Sequence, residues 1–244
     1  MRLFVDAALA AGAELALPPG AARHAQVRRV QPGDELLLFD GRGSDWPARV
    51  LAVGRSEVRV QVGAPRAVDK ELPLAVTLAL VMPANERMDT LVEQATQLGV
   101  ARVQPLLSER SVLRLAGERA ERKREHWRAV AQAACEQCGR AVVPLVEPVC
   151  TLAHWLRQLP PAAAGIRLLL SLAPGAPALP QIAFAGGALC TLSGPEGGLT
   201  SDEEAAALAA GFTAVALGPR VLRAETAPLA VLAWLAMQQA DALR

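Results

Sequence analysis

The sequence predicts an α/β protein in which a small β-barrel precedes a larger domain built on a parallel sheet. Short apolar runs separated by glycine turns fill residues 1 to about 66, which favours a barrel. Farther along, continuous apolar runs alternate with helical patterns, as in parallel sheets covered by helices. Residues 64–72 contain Pro65 and mixed charges and form the expected linker. We therefore place the two domains at 1–68 and 69–244.

Three stretches of the N-terminal part carry strand signals. Residues 35–40 are apolar and follow the Pro32-Gly33 turn, and residues 47–53 form a second apolar run. In residues 58–62, valine alternates with polar residues, which is the period of a half-buried strand. A basic cluster precedes these strands, and its members are Arg23, His24, Arg28 and Arg29. Clustered guanidinium groups suit RNA phosphates, and a solvated helix face accounts for the cluster equally well.

The C-terminal part reads as strands and helices in alternation. The apolar run Leu74 to Val81 predicts a strand covered on both faces. Residues 87–98 carry a helical apolar stripe closed by Gly99, and residues 118–139 predict a long helix. Further strands are expected at 103–107, 166–172, 188–192 and 214–217. A last helix, expected to be buried, begins near Glu225, with Pro228 tolerated in its first turn.

Composition excludes several classes of protein. The chain has 244 residues, a net charge of +1 and 52% hydrophobic residues, and none of its apolar runs is long enough to span a membrane. The first residues lack the organisation of a signal peptide, and four cysteines suit a reducing compartment better than a disulfide framework. We expect a cytoplasmic protein. Without tyrosine, an aromatic platform for stacking bases is improbable.

Two glycine turns near the C-terminus predict a ligand pocket. Ser193 to Gly198 follows one predicted strand, and Gly218-Pro219 follows another. Ligands of open α/β sheets bind at the carboxyl ends of the strands, so both turns are expected to line one pocket. Ser201 with Glu204 forms a capping box at the helix that follows, and Thr200 with Glu203 is the alternative register. The turns match neither a dinucleotide fingerprint nor a P-loop.

The segments around these turns resemble a known family. GPEGG at 194–198 followed by LGPRVLRAETA at 217–227 is similar to the paired signature of the SPOUT methyltransferases. Within them the chain resembles the RsmE family, which methylates N3 of a uridine in bacterial 16S ribosomal RNA. The resemblance covers nearly the whole chain, and the other matching segments are Asn85-Glu86-Arg87-Met88, 94–99, Glu109-Arg110-Ser111, 133–140, His24, 27–29 and Gly33-Asp34.

The resemblance implies a PUA-like, RNA-binding barrel before a trefoil-knotted SPOUT domain, and a homodimer acting on 16S rRNA of the small ribosomal subunit. It also implies that three knotted loops bind S-adenosyl-L-methionine. Neither a membrane nor a metal is implied. The residues that the resemblance assigns to the cofactor are Leu170, Ser171, Leu192, Ser193, Gly194, Pro195, Glu196, Gly197, Gly198, Leu217, Gly218, Val221, Leu222, Arg223 and Ala227.

Three residues at the mouth of these loops are candidates for catalysis. Methyl transfer to uracil N3 removes a proton and spreads negative charge onto O4 and O2, which calls for a general base or a cation. We hypothesise that Arg223 holds the uracil oxygens or a flanking phosphate, and that Glu225 or Glu196 accepts the proton. Alternatively, Arg223 pairs with Glu225, the glutamates cap nearby amides, and solvent takes the proton.

Other functions stay open at this point. A ribose 2′-O-methyltransferase shares the knotted loops, and a non-catalytic ribosome assembly factor could keep the fold. A phosphate-binding α/β enzyme is a third alternative. Cys135-Glu136-Gln137-Cys138 is a lone C-x-x-C without two further ligands at zinc spacing, so we interpret its cysteines as structural thiols and expect no metal.

Overall fold

The residues that the computed structural model describes are 1–84, 87–160, 165–173, 175–181 and 187–241. The chain divides into two compact units, and each contains its own sheet. One unit comprises Met1–Glu71 and Gln132–Val143, and the other comprises Leu72–Ala131 and Pro144–Arg244. Within the described ranges, no helix has both the length and the apolar character that crossing a membrane requires.

The N-terminal unit is a sheet of short strands with one helix. Val58, Val60 and Val62 are buried while the residues between them are exposed, so the predicted period-two strand is confirmed. The elements are β1 (Arg2–Phe4), β2 (Glu14–Ala16), α1 (Pro19–Val27), β3 (Glu35–Phe39), β4 (Ser44–Val53), β5 (Val58–Val62) and β6 (Arg66–Ala67). The sheet order is β1-β3-β4-β5-β2, with β6 beside β4. All pairs are antiparallel except β1 with β3.

The strand β6 lies inside the segment 64–72, which the sequence predicts to be a plain linker. Arg66 and Ala67 pair with Asp45 and Ser44 at the start of β4. The sequence does not mark this strand, because a two-residue strand has no periodicity and is fixed only by the strand beside it.

A segment distant in sequence completes the N-terminal unit. The Arg2 guanidinium lies 3.7 Å from the centre of the Phe39 ring. It pairs with Asp45 at 2.8 Å and donates to the carbonyl oxygens of Cys135 and Arg140. The buried side chains of Phe39, Cys135 and Ala141 pack together. One arginine near the start of the chain therefore binds the strand β4 and the end of a helix that begins more than a hundred residues later.

Burial keeps two of the cysteines in the thiol form. It raises the pKa of the Cys135 thiol, and likewise that of Cys190, to about 12. A thiol with such a pKa is protonated near neutral pH and is a poor nucleophile or metal ligand. All four cysteines are free thiols, and within the described ranges no group of three or more His, Cys, Asp or Glu side chains is placed to hold a metal ion.

The C-terminal unit contains a parallel sheet with helices, which confirms the predicted α/β class. Its strands are β7 (Leu74–Val81), β8 (Arg102–Leu107), β9 (Leu145–Val146), β10 (Cys150–Thr151), β11 (Ile166–Leu170), β12 (Gly187–Ser193) and β13 (Thr213–Val215). Every pair is parallel, in the order β10-β8-β7-β12-β11-β13 with β9 beside β8. The helices are α2 (Arg87–Gln97), α3 (Gly117–Cys138), α4 (Leu152–Gln158), α5 (Ser201–Ala209) and α6 (Thr226–Asp241); the last turns of α3 belong to the N-terminal unit.

The predicted end of α2 is confirmed, whereas the predicted start of α5 differs from the structure by one residue. Gly99 closes α2 with a φ of +93°, as predicted. The preferred capping box of α5 is wrong by one residue. Thr200 is the N-cap and exchanges hydrogen bonds with Glu203. Ser201 is already the first helical residue, because the extended backbone ends at Thr200.

The prediction that the last helix is buried holds for one face. Val231 and Leu232 of α6 are fully buried, whereas Met237 is 71% exposed. The helix packs against α2, β7 and β12. Its apolar residues surround the whole helix, and packing on one face leaves the others uncovered.

Candidate active site

A cavity of about 430 Å³ lies beyond the carboxyl ends of β11, β12 and β13. This volume is in the range of pockets that bind small molecules and cofactors. It arises because parallel strands deliver their following loops to the same edge of the sheet. The residues that line it are Arg87, Leu170, Ser171, Leu172, Ser193, Gly194, Pro195, Glu196, Gly198, Leu199, Glu204, Leu217, Arg220, Val221, Leu222, Arg223, Ala224 and Ala227.

The structure brings most of the predicted cofactor-binding residues to this cavity, and three lie elsewhere. Leu192 is fully buried in the core between β12 and the helices, because alternate residues of a strand face opposite sides. Gly197 lies on the outer side of its loop, against the Arg110 side chain. Gly218 adopts a φ of +106° and is exposed, so it shapes the turn without lining the cavity.

Six of the lining residues were not assigned to the cofactor individually. Arg220 and Ala224 lie inside the 217–227 motif, and Leu172 and Leu199 directly follow assigned residues of the other two loops. Glu204 reaches the cavity from the first turn of α5, and Arg87 comes from α2, far away in sequence. Asn85 and Glu86 of the same motif, and Pro174 after β11, lie outside the described residues.

Glycine is required at two points of the loop after β12. A Cβ atom on Gly194 would lie 2.9 Å from the backbone nitrogen of Leu199, closer than carbon and nitrogen approach without displacement. Gly198 has a φ of +69°, a conformation that residues with a side chain rarely adopt. Gly197 is different, because its nearest neighbour would be a flexible arginine carbon at 3.7 Å.

Side chains from the segment after β8 brace this loop. Arg110 donates to the carbonyl oxygens of Gly197 at 2.8 Å and Leu199 at 3.3 Å. The backbone N–H of Glu109 donates to Glu203 at 2.8 Å, and Glu203 is also the capping residue of α5. Two residues of the segment Glu109-Arg110-Ser111, which the sequence offered only as part of a resemblance, therefore brace the loop that lines the cavity and the helix that follows it.

One arginine pairs with both candidate glutamates. Arg87 Nη1 lies 3.1 Å from Glu196 Oε1, and its Nε lies 3.6 Å from Glu225 Oε1. Glu196 Oε1 also accepts a hydrogen bond from the Ala84 N–H. Glu196 lines the cavity, whereas Glu225 is not among the lining residues. The alternative in which Arg223 pairs with Glu225 is wrong for this structure, since Arg87 holds that carboxylate.

Uncompensated polar groups mark the cavity. Arg220 and Arg223 line it, both are exposed, and neither forms an ion pair within the described ranges. Ser193 is 4% exposed, and in the same ranges its hydroxyl oxygen is buried without a hydrogen-bond partner. A buried hydroxyl normally has a partner. The cavity thus combines apolar walls with a hydroxyl and two cations that other described residues leave available to a ligand.

The predicted RNA-binding residues lie at the end of α1 in the N-terminal unit. Arg23, Arg28 and Arg29 are exposed, and within the described ranges none forms an ion pair. Arg29 has a left-handed φ of 57°. His24 lies 3.4 Å from Glu136 Oε2. His24 and Arg28 line an open cleft of about 790 Å³ together with acidic side chains, among them Asp34.

We expect Gly194→Ala to lower the free energy of unfolding by about 1–3 kcal/mol, because the added methyl group overlaps backbone atoms of the same loop. Gly197→Ala is the matched control, and its effect is expected to stay within about 0.5 kcal/mol. Urea denaturation of both variants checks this. Equal midpoints for the two variants would show that the loop shifts to admit a methyl group and that Gly194 is not sterically required.

Comparison with known proteins places the chain in a family. The model of a family described as an RNA methyltransferase domain matches residues 70–236, and that of an RNA methyltransferase PUA domain matches residues 17–63. Ribosomal RNA small subunit methyltransferase E of Mycobacterium bovis is 34% identical, over 95% of this chain and 89% of that protein. The corresponding Synechocystis protein is 33% identical, over 85% of this chain and 67% of that protein.

Solved structures support the same family assignment. The structure of ribosomal RNA small subunit methyltransferase E from Neisseria gonorrhoeae bound to S-adenosyl methionine superposes with a TM-score of 0.90 at 37% identity, covering 97% of both chains. A putative methyltransferase from Legionella pneumophila in complex with the same cofactor gives 0.90 at 29% identity, again over 97% of both chains. The predicted combination of a PUA-like unit and a SPOUT-type parallel sheet is thereby confirmed, and the chain belongs to the ribosomal RNA small subunit methyltransferase E family.

Proposed function

We propose that this chain transfers a methyl group from S-adenosyl-L-methionine to N3 of a uridine in 16S rRNA of the small ribosomal subunit. The observation that carries this is the cavity at the ends of the parallel strands, lined by the GPEGG and LGPRVLR loops. The relatives named for rRNA methylation, and the two similar structures that contain the cofactor, support the same reaction.

The cavity suits this cofactor. Leu170, Leu217 and Leu222 supply apolar walls, and the unsatisfied Ser193 hydroxyl offers one polar partner. Gly194 lets the loop fold closely against Leu199, which shapes the main chain at the wall of the cavity. When bound, S-adenosyl-L-methionine supplies an activated methyl group on a sulfonium. The residues proposed to hold it are those named above from the resemblance, of which Leu192, Gly197 and Gly218 act from outside the lining.

Two kinds of side chain are proposed to act on the uracil. Loss of the N3 proton spreads negative charge onto O4 and O2, and a cation near those oxygens stabilises it. Arg223, exposed at the cavity and in no ion pair within the described ranges, takes this role or holds a flanking phosphate. A carboxylate within hydrogen-bond reach of N3 accepts the proton. Of the two candidates, Glu196 lines the cavity, so it is better placed than Glu225.

The remaining parts of the proposal concern partners. Residues 1–68 are proposed to form the RNA-binding domain, with Arg23, His24, Arg28 and Arg29 facing RNA. Residues 69–244 are proposed to form the methyltransferase domain with its trefoil knot.

We propose a cytoplasmic homodimer whose interface lies near the cavity. Two large apolar side chains at the cavity support an interface there, because Leu172 is 68% exposed and Val221 is 78% exposed, and exposed apolar surface often marks a contact.

Methyl transfer from labelled S-adenosyl-L-methionine to isolated 30S subunits and to protein-free 16S rRNA tests the reaction. We expect 3-methyluridine after nucleoside digestion of one or both substrates. A 2′-O-methylated nucleoside would move the protein to the ribose branch of the superfamily. No transfer with intact cofactor binding would mean that the fold is right and that the RNA substrate is a different one. Absence of both methyl transfer and cofactor binding would exclude the proposal.

We expect Arg223→Ala to lower kcat by about 100-fold, because it removes a preorganised charge from the developing oxyanion. Its affinity for the cofactor, measured by calorimetry, should fall much less than kcat, because Arg223 is only one of many residues proposed to hold the cofactor. Arg220→Ala, at the same cavity, is the matched control and should weaken RNA binding more than turnover. Full turnover in Arg223→Ala would remove this role.

Turnover of Glu196→Gln and Glu225→Gln, compared over a range of pH, identifies the carboxylate that takes the proton.

Replacing Arg23, Arg28 and Arg29 together by glutamine should weaken binding of protein-free 16S rRNA and reduce its dependence on salt. For every phosphate that the protein no longer neutralises, the slope of log affinity against log salt becomes shallower by about 0.7–0.9. Arg59→Gln is the control, because Arg59 lies in the same unit and is paired with Glu14. An unchanged slope in the triple variant, with normal folding, would show that the basic cluster is only a solvated helix face.

A further inference from the structure

Arg223 and Glu225 are two residues apart at the start of α6 and carry opposite charges. If they paired, the guanidinium that the proposed function assigns to RNA would be neutralised by its own chain. The structure avoids this pairing. Within the described ranges Arg223 forms no ion pair, and Glu225 Oε1 lies 3.6 Å from Arg87 Nε.

Arg87 is held firmly enough to compete for Glu225. It is the first residue of α2, and its Nη1 binds Glu196 at 3.1 Å. Two positions later, Asp89 accepts a hydrogen bond from Trp127 at 3.0 Å and approaches His126 at 2.6 Å, which ties the start of α2 to α3. The backbone from which Arg87 extends is therefore anchored, and its guanidinium lies between the two glutamates.

Glu225 needs a cation. Its side chain is 20% exposed, and within the described ranges its second oxygen is buried without a hydrogen-bond partner. A partly buried carboxylate left without a counter-charge is unfavourable, so it would turn to another cation if Arg87 were removed. Arg223, the basic residue nearest to it along the chain, is then the candidate to replace Arg87.

We infer that Arg87 is a positioning residue that sequesters Glu225 and thereby keeps the Arg223 guanidinium free for the RNA. This inference rests on the proposed function, because it takes RNA to be the ligand of Arg223. It assigns Glu225 the role of a charge partner and leaves Glu196 as the carboxylate at the cavity. Arg87 itself need not touch the cofactor or the uracil.

A mutant cycle in RNA affinity tests the inference. Binding of protein-free 16S rRNA is measured over a range of salt concentrations for wild type, Arg87→Ala, Glu225→Gln and the double variant. Arg87→Ala releases both glutamates, but Glu196 keeps the Ala84 N–H as a partner, whereas Glu225 is left to neutralise Arg223. RNA affinity should therefore fall about tenfold and the salt slope by about one unit, as expected when one phosphate is no longer bound. Glu225→Gln should bind RNA as wild type does.

The double variant separates this mechanism from a simple brace. With Glu225 uncharged, that side chain no longer neutralises Arg223, so Arg87→Ala with Glu225→Gln should recover affinity to within about twofold of wild type. A brace that merely holds the loops predicts that the double variant binds no better than Arg87→Ala. Adding Arg223→Ala to Arg87→Ala should cause no further decrease in affinity, because the guanidinium is already neutralised.

Controls keep folding and function apart from the inference. Arg87→Lys keeps the charge but has a single ammonium where the guanidinium faces two glutamates, so its RNA affinity should lie between those of wild type and Arg87→Ala. Thermal melting verifies that each variant is folded. If Arg87→Ala is unfolded, Arg87→Gln replaces it in the same cycle. A double variant as weak as the single variant overturns the inference. Methyl transfer by the wild type is measured in parallel, so absence of transfer would overturn the proposed function independently of the affinity cycle.

Discussion

The parallel pairing of β12 with β7 on one side and β11 on the other is the constraint on which the site depends. Ser193 at the end of β12 pairs with Leu80, and Leu192 pairs with Leu169. On the far side of β11, Leu170 pairs with Val215 of β13. Strands in this register end at the same level, so the loops that follow them open at one edge. The cavity is the space that those loops enclose together.

Loops rich in glycine have little stiffness of their own, because glycine loses more conformational freedom on ordering than other residues do. In this protein the stiffness is supplied by arginines from neighbouring segments. Arg110 fixes two carbonyl oxygens of the loop after β12, and Arg87 links that loop to the start of α6. Partly exposed ion pairs contribute modestly to stability. Their main effect here is on the placement of side chains at the cavity.

Residue patterns predict this fold well where burial leaves a signature in sequence. Leu74 to Val81 is a strand because a parallel strand covered on both faces must be largely apolar, and β5 shows its alternation directly. The loop after β12 was found because its geometry calls for glycine at Gly194 and Gly198. Two-residue strands such as β6 have no such signature. The pairing of Glu225 with Arg87 could not be predicted either. It depends on the position of α2 in the folded protein, which local sequence patterns do not encode.

Two features, the N-cap of α5 and the burial of α6, depend on the three-dimensional structure more than on residue type. Thr200 and Ser201 are chemically equivalent caps, and the register was set by where the extended backbone ends. The apolar surface of α6 predicts burial, but Met237 is exposed because the sheet and α2 cover only one side. The sequence correctly predicted a capping box and an apolar helix. It did not predict which residue is the cap or which face of the helix is covered.

The N-terminal unit is discontinuous, and this has a consequence for the order in which the protein folds. Its strands are complete at Glu71, yet two of the acceptors of Arg2 and the buried neighbours Cys135 and Ala141 of Phe39 lie in residues 132–143. On the ribosome, synthesis proceeds from the N-terminus, so β7, β8 and most of α3 emerge before those partners do. The N-terminal sheet therefore lacks these contacts while the first half of the second unit is being made.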